Sequence, residues 1–162
     1  MTFAAVALAI YAGALGTAVI TDVIALQIPN WISVLLVATF FAAAALAPTP
    51  VDWISHLAAG FIVLTLGIGL LAWNKLGGGD VKLLAAVSLW NGLPLLPALV
   101  LTIGIAGGGV ALACIALRRL GVGPLLEARG FQAASLAAGR GIPYAAAIAV
   151  GCGIQAPHFL LG

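Results

Sequence analysis

Residues 64–90 read LTLGIGLLAWNKLGGGDVKLLAAVSLW, two apolar runs joined by a short segment, Asn74 to Asp80, that holds a lysine, three consecutive glycines and an aspartate. The first run begins near Ile54 and the second reaches Gly92. A membrane-spanning helix needs roughly 20 apolar residues, and the same pattern recurs along the chain near 3–24, 31–47, 54–73, 81–92, 97–117 and 142–161, with Pro, Gly, Asn and charges at the breaks. The expected fold is therefore all-α, a polytopic membrane protein of about six transmembrane helices. Asn91-Gly92 and Pro94 interrupt the fourth run. It either continues through Leu95-Leu96 with a kink or meets the fifth in a very tight hairpin.

Composition agrees. The 162 residues are 64% hydrophobic and 6% charged, against roughly 45–50% and 25% in soluble domains. That excludes a soluble enzyme, and the absence of a basic stripe excludes a nucleic-acid binder. Six helices consume about 120 positions, so residues 1–162 are expected to be a single membrane-embedded unit without an extramembrane domain. Met1-Thr2-Phe3 carries no basic n-region, so residues 3–20 are expected to be a retained first span rather than a cleaved signal. Cys114 and Cys152 stand singly in apolar stretches and read as helix-packing residues, not as a zinc site or a disulfide.

Lysine and arginine set the orientation. With six spans and the N-terminus outside, the inner segments 25–30, 74–80 and 118–141 hold Lys75, Arg118, Arg119, Arg129 and Arg140, with Lys82 just inside the fourth helix. The opposite side, including the Pro48-Thr49-Pro50 turn, holds none, a strong positive-inside bias.

Four acidic residues remain. Asp52 precedes Trp53 after a proline-rich turn and reads as an interfacial cap for the third helix. Glu127 lies among basic residues in the long inner loop and reads as solvated. Asp22 sits inside the first apolar run, about one turn before the Gln27-Ile28-Pro29-Asn30 break. A carboxylate there costs up to about 2.5–3.5 kcal/mol on insertion scales, so it either snorkels to the rim or has a function. Asp80 likewise has two readings, an N-cap of the fourth helix or a functional group. Topology joins the two: the first helix runs inward and the fourth starts at the inner side, so both carboxylates reach the same rim.

Two carboxylates that close share one proton. One form can take a proton from water while the other polarises a scissile carbonyl, with no metal, cofactor or activated nucleophile. Gly77, Gly78 and Gly79 suit such a site by permitting φ > 0 and close backbone approach, and an extended peptide could pair with their backbone groups.

Asp22 followed by Ile28-Pro29-Asn30, then Gly77-Gly78-Gly79-Asp80-Val81-Lys82, resembles the paired motifs of the type IV prepilin peptidases, membrane aspartic proteases of the GxGD type. Gly141-Ile142-Pro143-Tyr144-Ala145 resembles the family's C-terminal segment. The resemblance implies that Asp22 and Asp80 are catalytic and that the substrate is a prepilin or pseudopilin. The enzyme would cut its short basic leader at the cytoplasmic face of the bacterial inner membrane while its hydrophobic helix stays in the bilayer. It implies no metal. Larger members carry a cytoplasmic segment with paired CxxC motifs and also N-methylate the product. Nothing here matches that segment, so the chain resembles the short Flp, or tight-adherence, form, and methylation is not expected.

Supporting roles are assigned on simpler grounds. Lys82 lies about 200° around an ideal helix from Asp80, so it is expected to face a headgroup or a loop group, with tuning of the pair as the other reading. Pro29 and Asn30 start the second helix. Arg118, Arg119, Arg129 and Arg140 are expected to anchor the loop to anionic lipid. His56 and His158 fall near the outer rim. Gly104 and Gly108, and on the third helix Gly60 and Gly67, are expected at close helix contacts. Two other functions compete: a proton- or ion-coupled carrier using the two carboxylates as a relay, and a non-catalytic pilus-assembly subunit that kept the fold.

Overall fold

The computed structural model describes residues 3–47, 49–130, 134–137 and 141–154. Among these the chain is helical without strands: α1 (Phe3–Ala25), α2 (Asn30–Ala45), α3 (Trp53–Ala72), α4 (Gly78–Arg119), α5 (Val122–Glu127), a 3-10 turn (Ala134–Leu136) and α6 (Tyr144–Ile154). α1, α3 and α4 are each long and apolar enough to cross a membrane, and α2 and α6 are shorter apolar helices. Their outer faces expose large apolar side chains, Ile54 at 81% and Phe61 at 70% among them. A soluble monomer does not carry so continuous an apolar surface; this is a membrane protein. Pro48, Arg140, His158 and the residues of the last run beyond Ile154 lie outside the described residues.

Lipid is as apolar as leucine, so helix association here depends on close packing and on satisfied polar groups. Gly60 and Gly67 behave as expected. A Cβ on Gly60 would stand 2.8 Å from Leu89 Cδ2, and one on Gly67 would stand 2.7 Å from Val81 Cγ1, so α3 and α4 touch almost backbone to side chain. Gly104 and Gly108 do not, since a Cβ at either would meet nothing within 4 Å; the glycine at a contact is Gly107, against the Tyr144 ring at 3.5 Å. The buried centre brings together Tyr11, Phe40, Trp90 and Ile148 from α1, α2, α4 and α6. Trp90 donates its indole N–H to the Leu36 carbonyl at 3.1 Å, which satisfies its one polar group in an apolar interior. Cys114 and Cys152 are both buried free thiols, as their packing role requires.

α4 is where the hairpin alternative is resolved. Gly92 has φ 69° and ψ 177°, a non-helical conformation inside the helix. Asp80 and Gly107 both approach Tyr144, although 27 residues of straight helix would separate them by about 40 Å. The chain therefore doubles back at Gly92, giving two segments, 78–91 and 93–119, that run in opposite directions. Pro94 then falls in the first turn of the second segment, where a missing N–H breaks nothing, and Pro97 follows one turn further on. Leu93 N–H donates to Ser55 Oγ at 3.0 Å, and the His56 ring bonds the Leu89 carbonyl, so α3 closes the turn. His56 thus has a packing role, and Asp52 caps α3 by accepting Ser55 N–H at 3.1 Å, as anticipated.

Candidate active site

Asp22 is built into the last turn of α1 and is 5% exposed. Beyond it the chain leaves the helix at Leu26, which takes a left-handed φ of 51°. Four residues later Asn30 opens α2, with Pro29 at its N-cap rather than in its first turn.

The opposing wall comes from the loop between α3 and α4. Asn74 turns the chain out of α3 with φ 53°, and α4 starts at Gly78 with Gly77 as N-cap. Asp80 is therefore in the first turn of α4 rather than at its cap position, but its carboxylate accepts the Gly77 N–H, so it still serves the helix start. An acidic group in the first turn still suits the positive end of the helix. The glycines also act differently from expectation. None of Gly77, Gly78 and Gly79 has a positive φ; close approach is what they supply. A Cβ on Gly77 would stand 2.8 Å from Asp80 Oδ2, and one on Gly79 would stand 3.0 Å from Ile28 Cβ, whereas one on Gly78 would meet only Leu71 at 3.9 Å. A methyl at the first or third glycine would push on a neighbour, and one at the second would not.

Asp22 and Asp80 come together around two openings. One, of about 310 Å³, is bounded by Gln27, Ile28 and the three glycines. The other, of about 540 Å³, is bounded by Lys75, Gly141, Ile142 and Tyr144. Asp22 is held from the far end of the chain, because Ala145 N–H in the first turn of α6 donates to its Oδ2 at 2.8 Å. This partner was not visible in the sequence, where residues 141–145 stood out only as a motif. A backbone amide is common to every residue but proline and leaves no signature.

Lys82 does not join the pair. Its Nζ donates to Asn30 Oδ1 at 2.9 Å, tying the start of α2 to the first turns of α4. Both residues also stand at one end of an apolar groove of about 710 Å³, lined by Val34, Val37, Phe61, Leu64 and Leu89. Arg118 departs from its expected lipid role: its guanidinium bonds the Ser135 and Gly141 carbonyls. Arg119, Glu127 and Arg129 are exposed, as solvated or headgroup-facing residues should be.

The fold and the site define a helical membrane protein that gathers two carboxylates, a glycine loop and a distant helix start at one end of its bundle. The comparison with known families gives the narrower assignment. Residues 9–112 match the type IV leader peptidase family, and the chain belongs to that family of peptidases. The match takes in Asp22, the glycine loop and Asp80, and ends before Arg118 and α6. No curated protein and no solved structure matches the chain.

Proposed function

We propose that this protein is an aspartic prepilin leader peptidase in which Asp22 and Asp80 activate water. The observation that carries the reading is the convergence of these two carboxylates on shared openings within a chain of the type IV leader peptidase family. In the proposed reaction the pair holds one proton between them. The ionised carboxylate takes a proton from water as its oxygen attacks the scissile carbonyl, and the protonated one hydrogen-bonds the carbonyl oxygen. Collapse of the tetrahedral intermediate breaks the C–N bond, with a proton passing to the leaving amine. The glycine loop leaves room for an extended peptide beside the pair.

The arrangement in the membrane follows from the charge bias: six crossings counting α4 twice, the N-terminus outside, and the site at the cytoplasmic face of a bacterial inner membrane. Residues 1–162 act as one peptidase unit on a substrate with a basic leader and an apolar helix, of the Flp type by resemblance. The apolar groove beside Asn30 and Lys82 gives that helix a place next to the site, because positions 28 and 80 border the openings and positions 30 and 82 border the groove.

Co-expression with a prepilin, read as a shift in substrate size, tests the assignment. Asp22→Asn and Asp80→Asn, made separately, are each expected to abolish processing while the protein still inserts. Normal cleavage by either variant would overturn the pair. A proton-coupled carrier predicts no cleavage by the parent and a pH gradient dissipated in vesicles.

A further inference from the structure

We propose that Arg118 is a positioning residue for the site, acting through the backbone that leads into α6. Arg118 is the penultimate residue of α4. Its Nε and Nη2 both donate to the Ser135 carbonyl, at 3.1 and 2.6 Å, and Nη2 also donates to the Gly141 carbonyl at 2.7 Å. One planar guanidinium thus holds two points of the long inner loop.

The first point is firmly seated. Ser135 is buried in the 3-10 turn, which packs on α1, and α5 presses on the same turn, since a Cβ on Gly123 would stand 2.9 Å from the Leu136 carbonyl oxygen. The second point is the one that matters to the site. Gly141, Ile142 and Tyr144 line the larger opening beside Asp22 and Asp80, and Ala145 supplies the amide that Asp22 accepts. The first N–H groups of a helix have no partner within it, so Ala145 N–H is available to Asp22, and that bond depends on where the first turn of α6 is placed. For α6 the Gly151 contact with Ile103 fixes the body of the helix against α4, and the Tyr144 contact with Gly107 fixes its first residue. Arg118 fixes the strand of chain just before its first turn.

The geometry separates this role from lipid anchoring. A lysine keeps the charge and any attraction to anionic headgroups, but it is a point donor and does not reproduce a planar fork across two carbonyls. Arg119, next in sequence and exposed, has the same charge without the contacts described for Arg118.

The proposal rests on Asp22 being catalytic, and the experiment keeps the two claims apart by using two readouts on the whole protein in nanodiscs. Amide hydrogen exchange over residues 141–150 reads the loop directly and needs no cleavage. Steady-state cleavage of a prepilin, with kcat and KM resolved, reads its effect. Arg118→Gln and Arg118→Lys are both expected to raise exchange in that segment at least about tenfold, leave α1 and α2 protected, and lower kcat about 10- to 100-fold with KM little changed. Arg119→Gln is expected to match the parent in both. If Arg118→Lys matches the parent while Arg118→Gln and Arg119→Gln fall together, the residue is a lipid anchor and the proposal fails. Parent-like exchange in Arg118→Gln also overturns it. If the parent cleaves no prepilin, the peptidase reading fails and the exchange result alone decides whether Arg118 holds the loop.

Discussion

The three glycines before Asp80 give the sharpest prediction, because a single methyl at each position meets a different neighbour. In Gly77→Ala the new Cβ falls 2.8 Å from Asp80 Oδ2, where ordinary contact begins at 3.4 Å, so the carboxylate must retreat by about 0.6 Å. A side-chain oxygen does this cheaply, within the roughly 0.5–1.5 kcal/mol of a modest rotamer distortion. The fold should survive, but the group that moves is the one assigned to chemistry. Catalytic groups need placement to about 0.5 Å, and a 1 Å error can cost on the order of 100-fold. Cleavage is therefore expected to fall about 10- to 100-fold, or about 1.4–2.7 kcal/mol of barrier, with thermal stability nearly unchanged. In Gly79→Ala the Cβ meets Ile28 Cβ at 3.0 Å and the Ile28 carbonyl at 3.4 Å. Backbone must move, costing about 1–3 kcal/mol of stability as well as activity. Gly78→Ala meets only ordinary contact with Leu71 and should cleave like the parent, with up to about 1 kcal/mol of added stability from its helical position. The assay is prepilin processing in reconstituted membranes alongside thermal unfolding in detergent. Equal damage at 77 and 78, or full activity in Gly77→Ala, would refute the reasoning.

Gly92→Ala should be among the most destabilising single-methyl changes. It places a side chain at φ 69° and a Cβ 3.1 Å from Ser55 Oγ, the acceptor for Leu93 N–H, and with ψ 177° this essentially glycine-only backbone alone costs about 1–3 kcal/mol; an unfolding temperature equal to the parent's would mean that the chain does not fold back there. Lys82→Met and Asn30→Ala should show a small positive coupling in a double-mutant cycle of detergent unfolding, about 0.5–1 kcal/mol for an exposed charged hydrogen bond, and strict additivity would remove the link between α2 and α4.

Scarcity made the carboxylates legible. Among four acidic residues, Asp22 was the one interrupting an apolar run and Asp80 the one behind three glycines; helix direction then placed them at one rim, and the structure has them bordering the same openings. What stayed hidden has a common physical cause. In lipid a helix is apolar all round, so no amphipathic phase tells which face packs inward. That is why Gly104 and Gly108 were favoured over Gly107, the glycine that touches α6. Three glycines in a row read as loop, which puts the start of the fourth run at Val81, yet the helix begins at Gly78. Arg118 was assigned to lipid by its charge alone, whereas its bonds go to carbonyls 17 and 23 residues away, a pairing no local pattern encodes.

The fold-back at Gly92 also bears on how deep the site sits. From Gly78 to Asn91 the first segment of α4 has 14 residues, about 21 Å of helix against a hydrocarbon core of about 30 Å. A segment this short thins the bilayer around it or draws one of its ends below the headgroups. With Asp80 at the inner end, as the proposed orientation has it, thinning of the bilayer or burial of that end brings the carboxylates toward the hydrocarbon instead of raising them into the cytosol. For the proposed peptidase, a peptide bond at the very edge of a substrate's apolar helix would then be reached without lifting that helix out of the lipid, and turnover would depend on membrane thickness.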